Sequence, residues 1–191
     1  MAKKTKDQPD LAPAEVEQRC IELEAVLMVA DKAVNAGRLV EVLGIGVDDG
    51  GSSVVEQLVG HLNEQYEESG RSFRIERVAG GYRVMTIPEY AEVVSRFQQG
   101  RNASRLSQAA LETLAIVAYR QPITRADVES IRGVACGEVI RNLLERRLVK
   151  ITGRAEEVGR PMLYGTTRQF LETFGLSTLK DLPSDKELRQ M

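Results

Sequence analysis

The sequence predicts an α+β, mainly helical fold made of two tandem winged helix-turn-helix domains. Three observations predict it. Between Leu106 and Val134 an apolar helix stops at Gln121-Pro122, and a second helix opens on Thr124 with Asp127 three residues later. The segment Gly159 to Thr167, GRPMLYGTT, follows an arginine-rich helix and reads as the return strand of a hairpin. In the first half, Gly80-Gly81 joins two short strands behind a separate set of helices, where a tight hairpin needs positive φ.

The elements follow in order. Residues 1–13 read as a flexible tail, because MAKKTKDQPD is charged and no apolar run behind it makes it a signal peptide. Pro13 suits a first helical turn, and Val16, Cys20, Leu23, Leu27 and Ala30 recur at steps of three and four. Ile21, Val26, Met28 and Val29 widen that apolar face beyond a simple core stripe. The helix is therefore expected to be buried and to contribute to a dimer contact, with Val16, Cys20, Leu23 and Leu27 as the contact residues. A short helix from about Gly37 to Leu43 ends in Gly44 and Gly46. Ser53 and Glu56 form a capping-box pattern, opening a helix to about Ser69 with Val55, Leu58, Val59, Leu62 and Tyr66 inward. Strands Phe73 to Val78 and Tyr82 to Ile87 make a wing, and Pro88 opens a helix to about Phe97. These elements, 14–97, form the first domain, and dimerisation is assigned to it. Residues 98–105 are a polar linker.

The second domain, 106–182, starts from Ser107 as N-cap with Ala110, Leu111, Leu114, Val117 and Ala118 inward. Its second helix runs from Thr124 to about Ile131. Its third, Gly137 to about Arg147, buries Val139, Ile140, Leu143 and Leu144. Strands Leu148 to Thr152 and Met162 to Thr166 flank a polar loop, and a last helix, Arg168 to Phe174, ends on Gly175. Residues 183–191 read as a second tail.

Charge separates the halves. Residues 13–90 hold 14 acidic and 7 basic side chains, whereas 91–191 hold 12 acidic and 16 basic. In the first domain the third helix carries Glu56, Glu64, Glu67 and Glu68 and no Lys or Arg, so phosphate would repel it. In the second, Val134-Ala135-Cys136-Gly137-Glu138 offers no Arg, Asn or Gln for base edges. Arg141, Arg146 and Arg147 are basic, but Glu138 and Glu145 accompany them at helical spacing, which reads as a salt-bridged solvent face. DNA contact is expected to be at most weak and non-specific, through those three arginines. A winged-helix transcription regulator stays as the alternative.

Catalytic patterns do not emerge. His61 is the single histidine and has no companion for metal binding or nucleophile activation. Cys20 and Cys136 are far apart and read as buried or half-buried thiols of a reducing cytoplasm. The glycines complete no phosphate loop. The expectation is a protein that is not an enzyme and has no cofactor or metal. Docking candidates are Tyr119, Ile123, Tyr164 and Phe174, of which Tyr119 and Phe174 could equally complete the core.

Several segments carry a family resemblance. LSQAALETLAIVAYRQPITRADVESIRGV, VIRNLLERRLV and GRPMLYGTTRQFLETFGLSTLKDLP closely resemble the segregation and condensation protein B (ScpB) family. LEAVLMVADKAV and the stretch from LNEQYEESG to EYAEVV resemble it more loosely, so the likeness runs from about Leu23 to Pro183. Ala135 to Glu138 departs from the polar Asn/Ser/Asp run usual in that family. The resemblance implies a homodimer joined through its first domains that binds the kleisin ScpA and, through it, the SMC ATPase of the bacterial condensin. It implies work in chromosome condensation and segregation, in the cytoplasm at the nucleoid. The partner contact is expected around Tyr119, Arg120, Gln121, Pro122, Ile123 and Tyr164.

Overall fold

The computed structural model describes residues 13–45, 50–98, 106–184 and 187. The two tails, the linker 99–105 and Gly46 lie outside the described residues, apart from the tail residues at their inner ends and Glu187. The fold is mainly helical with small sheets, and the chain divides into two compact units, one ending at Arg96 and the other beginning at Phe97.

The first unit contains helix α1 (Pro13–Val29), the short strand β1 (Val34–Asn35), α2 (Ala36–Val42), α3 (Gly51–Glu68), and strands β2 (Phe73–Val78) and β3 (Gly81–Thr86). A 3-10 turn, Pro88–Tyr90, leads into α4 (Ala91–Gln98). The sheet is antiparallel in the order β1-β3-β2. Helices α1 and α2 pack on α3, and Leu23, Leu39, Val55, Leu58 and Leu62 lead the core.

Three local expectations change here. α2 begins at Ala36 because the Asn35 side chain caps it, accepting a hydrogen bond from the Arg38 N–H at 2.8 Å. α3 starts two residues before the Ser53–Glu56 pattern, from Gly50 in the left-handed region (φ 67°), and no side chain caps it. The hairpin turn is Ala79-Gly80, both with positive φ (51° and 72°). Gly81 instead begins β3, where a Cβ would stand 2.6 Å from the Val34 carbonyl oxygen. That approach is what admits β1 to the sheet. β2 is an edge strand, and Asn63 of α3 closes it: its Oδ1 accepts from the Ile75 N–H at 2.8 Å while its Nδ2 donates to the Ile75 C=O at 3.0 Å.

The second unit repeats the order: α5 (Gln108–Arg120), β4 (Ile123–Thr124), α6 (Arg125–Arg132), α7 (Gly137–Glu145), β5 (Val149–Arg154), β6 (Met162–Thr166), then α8 (Arg168–Phe174). Its sheet runs β4-β6-β5, antiparallel, with a bulge in β5 between Ile151 and Gly153. Ser107 caps α5, accepting from the Ala110 N–H, and Thr124 with Asp127 forms a reciprocal capping box on α6. α8 ends at Gly175 with φ 67°. Leu114, Val117, Val128, Ile140, Leu143 and Phe170 centre the core. Leu111, expected inward, is 41% exposed. Beyond α8 a strap, Leu176 to Ser184, includes the 3-10 turn Leu179–Asp181.

Candidate functional site

The two segments that looked most like a contact surface meet each other. Pro122 follows a cis peptide bond and has no N–H, so the Ala118 carbonyl lacks the donor that the next helical turn would supply. The Gln121 side chain fills the gap: its Nε2 donates to the Ala118 carbonyl at 3.0 Å and to Thr166 Oγ1 at 3.0 Å. Its Oε1 accepts from the Thr166 backbone N–H at 2.8 Å. One residue on, Ile123 pairs with Tyr164 and Thr124 with Leu163 across β4 and β6. Gly165 lies under this clamp, where a Cβ would approach Gln121 Oε1 to 2.9 Å.

This corrects part of the expected contact set. Ile123 and Tyr164 are only 6% and 9% exposed and belong to the core of the unit. Gln121 is half-buried, and its amide is committed internally. Arg120 and Pro122 are exposed at the corner. Tyr119 is 42% exposed, and its hydroxyl donates to the Pro183 carbonyl at 2.8 Å.

Tyr119 borders a cleft of about 380 Å³ in the second unit. One wall is α5, through Leu111, Ala115 and Tyr119; the opposite wall is α8, through Phe170 and Phe174. Leu176, Leu182 and Pro183 of the strap complete it. The Phe170 and Phe174 rings are 4.9 Å apart and tilted by 42°. Leu111 and Phe174 are 41% and 44% exposed, so the cleft offers water an almost wholly carbon surface. A partner can be held here by apolar burial, with no charged group to neutralise. Periodicity on α5 pointed Leu111 inward because a core stripe and a cleft wall share the same spacing.

The residues expected at a dimer contact lie inward. Cys20, Leu23 and Leu27 are 3%, 0% and 2% exposed inside the first unit, and Val16 is half-buried against the same core. The large apolar side chains of α1 that are exposed are Ile21, Met28 and Val29, at 56%, 51% and 82%. The inner stripe of the wide apolar face packs on the protein's own core, and its outer side chains are exposed.

Several basic residues of the second unit are paired with carboxylates. Arg141 pairs with Glu145 at 3.3 Å, Arg125 with Glu129 at 3.6 Å, and Arg132 with Glu112 at 3.0 Å. Arg146 is half-buried and Arg147 exposed. Cys136, at the start of α7, is buried, and its N–H donates to Glu129 at 3.0 Å, so this junction presents no base-reading side chain. His61 is exposed on α3 and shares a hydrogen bond with Gln65. Both cysteines are free and buried, and burial pushes both thiols up from their ordinary pKa. Among the described residues there is no group of three or more His, Cys, Asp or Glu placed to hold a metal ion, and no helix long and apolar enough to cross a membrane.

A family model described as "Segregation and condensation complex subunit ScpB" matches residues 21–185. Segregation and condensation protein B of Syntrophotalea carbinolica is 44% identical over 90% of this chain and 86% of its own. That of Bacillus mycoides is 45% identical over 87% of this chain and 85% of its own. Among solved structures, ScpB from Mycobacterium tuberculosis is 31% identical, covering 84% of this chain and 97% of that one with a TM-score of 0.38. The chain belongs to the ScpB family of segregation and condensation complex subunits.

Proposed function

We propose that the chain is a non-catalytic, dimeric adaptor that binds the kleisin ScpA and, through it, joins the SMC ATPase in chromosome condensation and segregation. Each unit is read as a winged helix-turn-helix domain, over 14–97 and 106–182. The repeated order helix, strand, two helices, hairpin supports that reading. The chain would work in the cytoplasm, at the nucleoid, with SMC supplying the catalysis.

The observation that carries the partner assignment is the apolar cleft between α5 and α8. Complete burial of a Leu, Tyr or Phe side chain is worth about 1.5–3 kcal/mol. Leu111, Tyr119 and Phe174 each keep roughly two-fifths of their surface in water, so covering all three yields about 2–4 kcal/mol by that scale. Micromolar affinity needs roughly 8 kcal/mol. The cleft therefore acts as an anchor, and the partner's own apolar side chains must supply the remainder.

The test is calorimetric titration of ScpA into Leu111→Asp and Phe174→Asp proteins whose folding is checked by circular dichroism. At least a tenfold loss of affinity is expected from each. If both fold and bind normally, the partner lies elsewhere. For the dimer, the exposed residues Ile21 and Met28 replace the buried Cys20, Leu23 and Leu27 as contact residues. Sedimentation should report a dimer for the parent protein and a monomer for Ile21→Glu/Met28→Glu. Any DNA contact through Arg146 and Arg147 would be weak and lost with modest salt.

A further inference from the structure

We infer that the strap Leu176 to Ser184 is a displaceable cover of the α5–α8 cleft, keyed by the Tyr119 hydroxyl, and that it competes with the partner for that cleft. The inference rests on the cleft being the ScpA-binding surface.

Three features of the strap support it. From Leu171 to Ser184 no residue is fully buried, whereas α5 buries five residues and α7 buries Ile140 and Leu143. The polar contacts of the strap are mostly its own: Asp181 accepts from the Ser177 and Thr178 N–H groups at 2.8 Å each, and the Leu182 N–H returns to Leu179. It can therefore leave as a preformed turn without breaking them. One side-chain hydrogen bond fastens its far end to α5, from Tyr119 to the Pro183 carbonyl. Beside that bond Leu182 and Pro183, with Leu176 at the near end, form one wall of the cleft, and the two leucines rest half-buried on the core of the unit.

The strap also indicates the chemistry of its competitor. The wall that the strap supplies is a short segment offering aliphatic side chains, Leu176 and Leu182, on a backbone that reaches the Tyr119 hydroxyl with a carbonyl. A partner segment with an aliphatic face satisfies the same walls. A cover closed nine-tenths of the time lowers apparent affinity about tenfold, and loosening it returns at most that factor.

The experiment uses the full chain and two variants that loosen the strap from different sites. Tyr119→Phe removes the key, and Asp181→Ala breaks the turn without touching the cleft wall. Hydrogen exchange of the free parent protein should show amides of 176–184 exchanging at least a hundredfold faster than those of α5. Both variants should accelerate strap exchange further, and Asp181→Ala, which leaves the cleft wall intact, should tighten ScpA binding about threefold to tenfold. Strap protection equal to that of α5, or an Asp181→Ala protein whose strap exchanges faster yet binds ScpA no better than the parent, overturns the competition. Leu111→Asp is measured alongside: if it binds ScpA normally, the cleft assignment itself has failed, a result that strap exchange cannot mimic.

Discussion

Replacing Gln121 with Ala should unfold the second unit at a markedly lower temperature while leaving the first unit's transition in place. The substitution strips two backbone groups of their partners: the Ala118 carbonyl, which Pro122 cannot serve, and the Thr166 N–H. Ala118 and Thr166 are each 7% exposed, so water does not readily replace the amide. A buried polar group left unpaired costs about 1–3 kcal/mol. Allowing for relaxation, the two together come to about 2–4 kcal/mol. In a domain of this size each kcal/mol moves the midpoint by roughly 4–8 °C, so a fall of roughly 10–25 °C is expected. Calorimetry and circular-dichroism melting of the full chain would measure it, with ScpA titrated well below the new midpoint. A fall below 3 °C would refute the clamp. Unchanged melting with lost ScpA binding would restore Gln121 as a contact residue.

Further outcomes follow from other parts of the molecule. Asn63→Ala should destabilise the first unit by about 1–3 kcal/mol, since it orphans both polar groups of Ile75; denaturant titration checks this. Burial, and then its hydrogen bond to Glu24, raises the pKa of the Tyr66 phenol above the ordinary 10.0. Its protonated form is the one the fold favours, so that stability is fully present below pH 10 and is lost as pH rises through the folded value. Alkaline melting should show this dependence, and Tyr66→Phe should remove it. With both thiols buried and raised in pKa, iodoacetamide at pH 8 should modify neither Cys20 nor Cys136 until denaturant is added, as mass spectrometry would report.

What was legible in the sequence was local. The stop at Pro122, the Thr124–Asp127 box, the Ser107 cap and the Gly175 terminus each depend on residues within one turn, and each is found in place. The order of helices and hairpins follows from apolar periodicity in the same way. The misread features involve partners distant in sequence. β4 is only two residues long and exists because β6 lies beside it, some forty residues later. Gln121 could not be recognised as a clamp without Thr166, 45 positions away. On α1 and α5 the periodicity locates an apolar face but not its edge, so it assigns Cys20, Leu23 and Leu27 to a dimer contact as well as to the core, and it turns Leu111 inward. Ser53–Glu56 misled because the capping pattern sits inside a helix that Gly50 had already started.

The Asn63 side chain has a consequence for how this protein behaves in a crowded assembly. A bare outer strand is a template on which other chains can grow by ordinary backbone pairing. By holding both polar groups of Ile75, Asn63 removes the middle rung from that template. In the second sheet the outer strand β5 is interrupted by a bulge and carries Lys150, which discourages the same growth by shape and charge. Each sheet is thus guarded along one border against growth by backbone pairing, which favours contacts that side chains select over contacts that any extended chain could make.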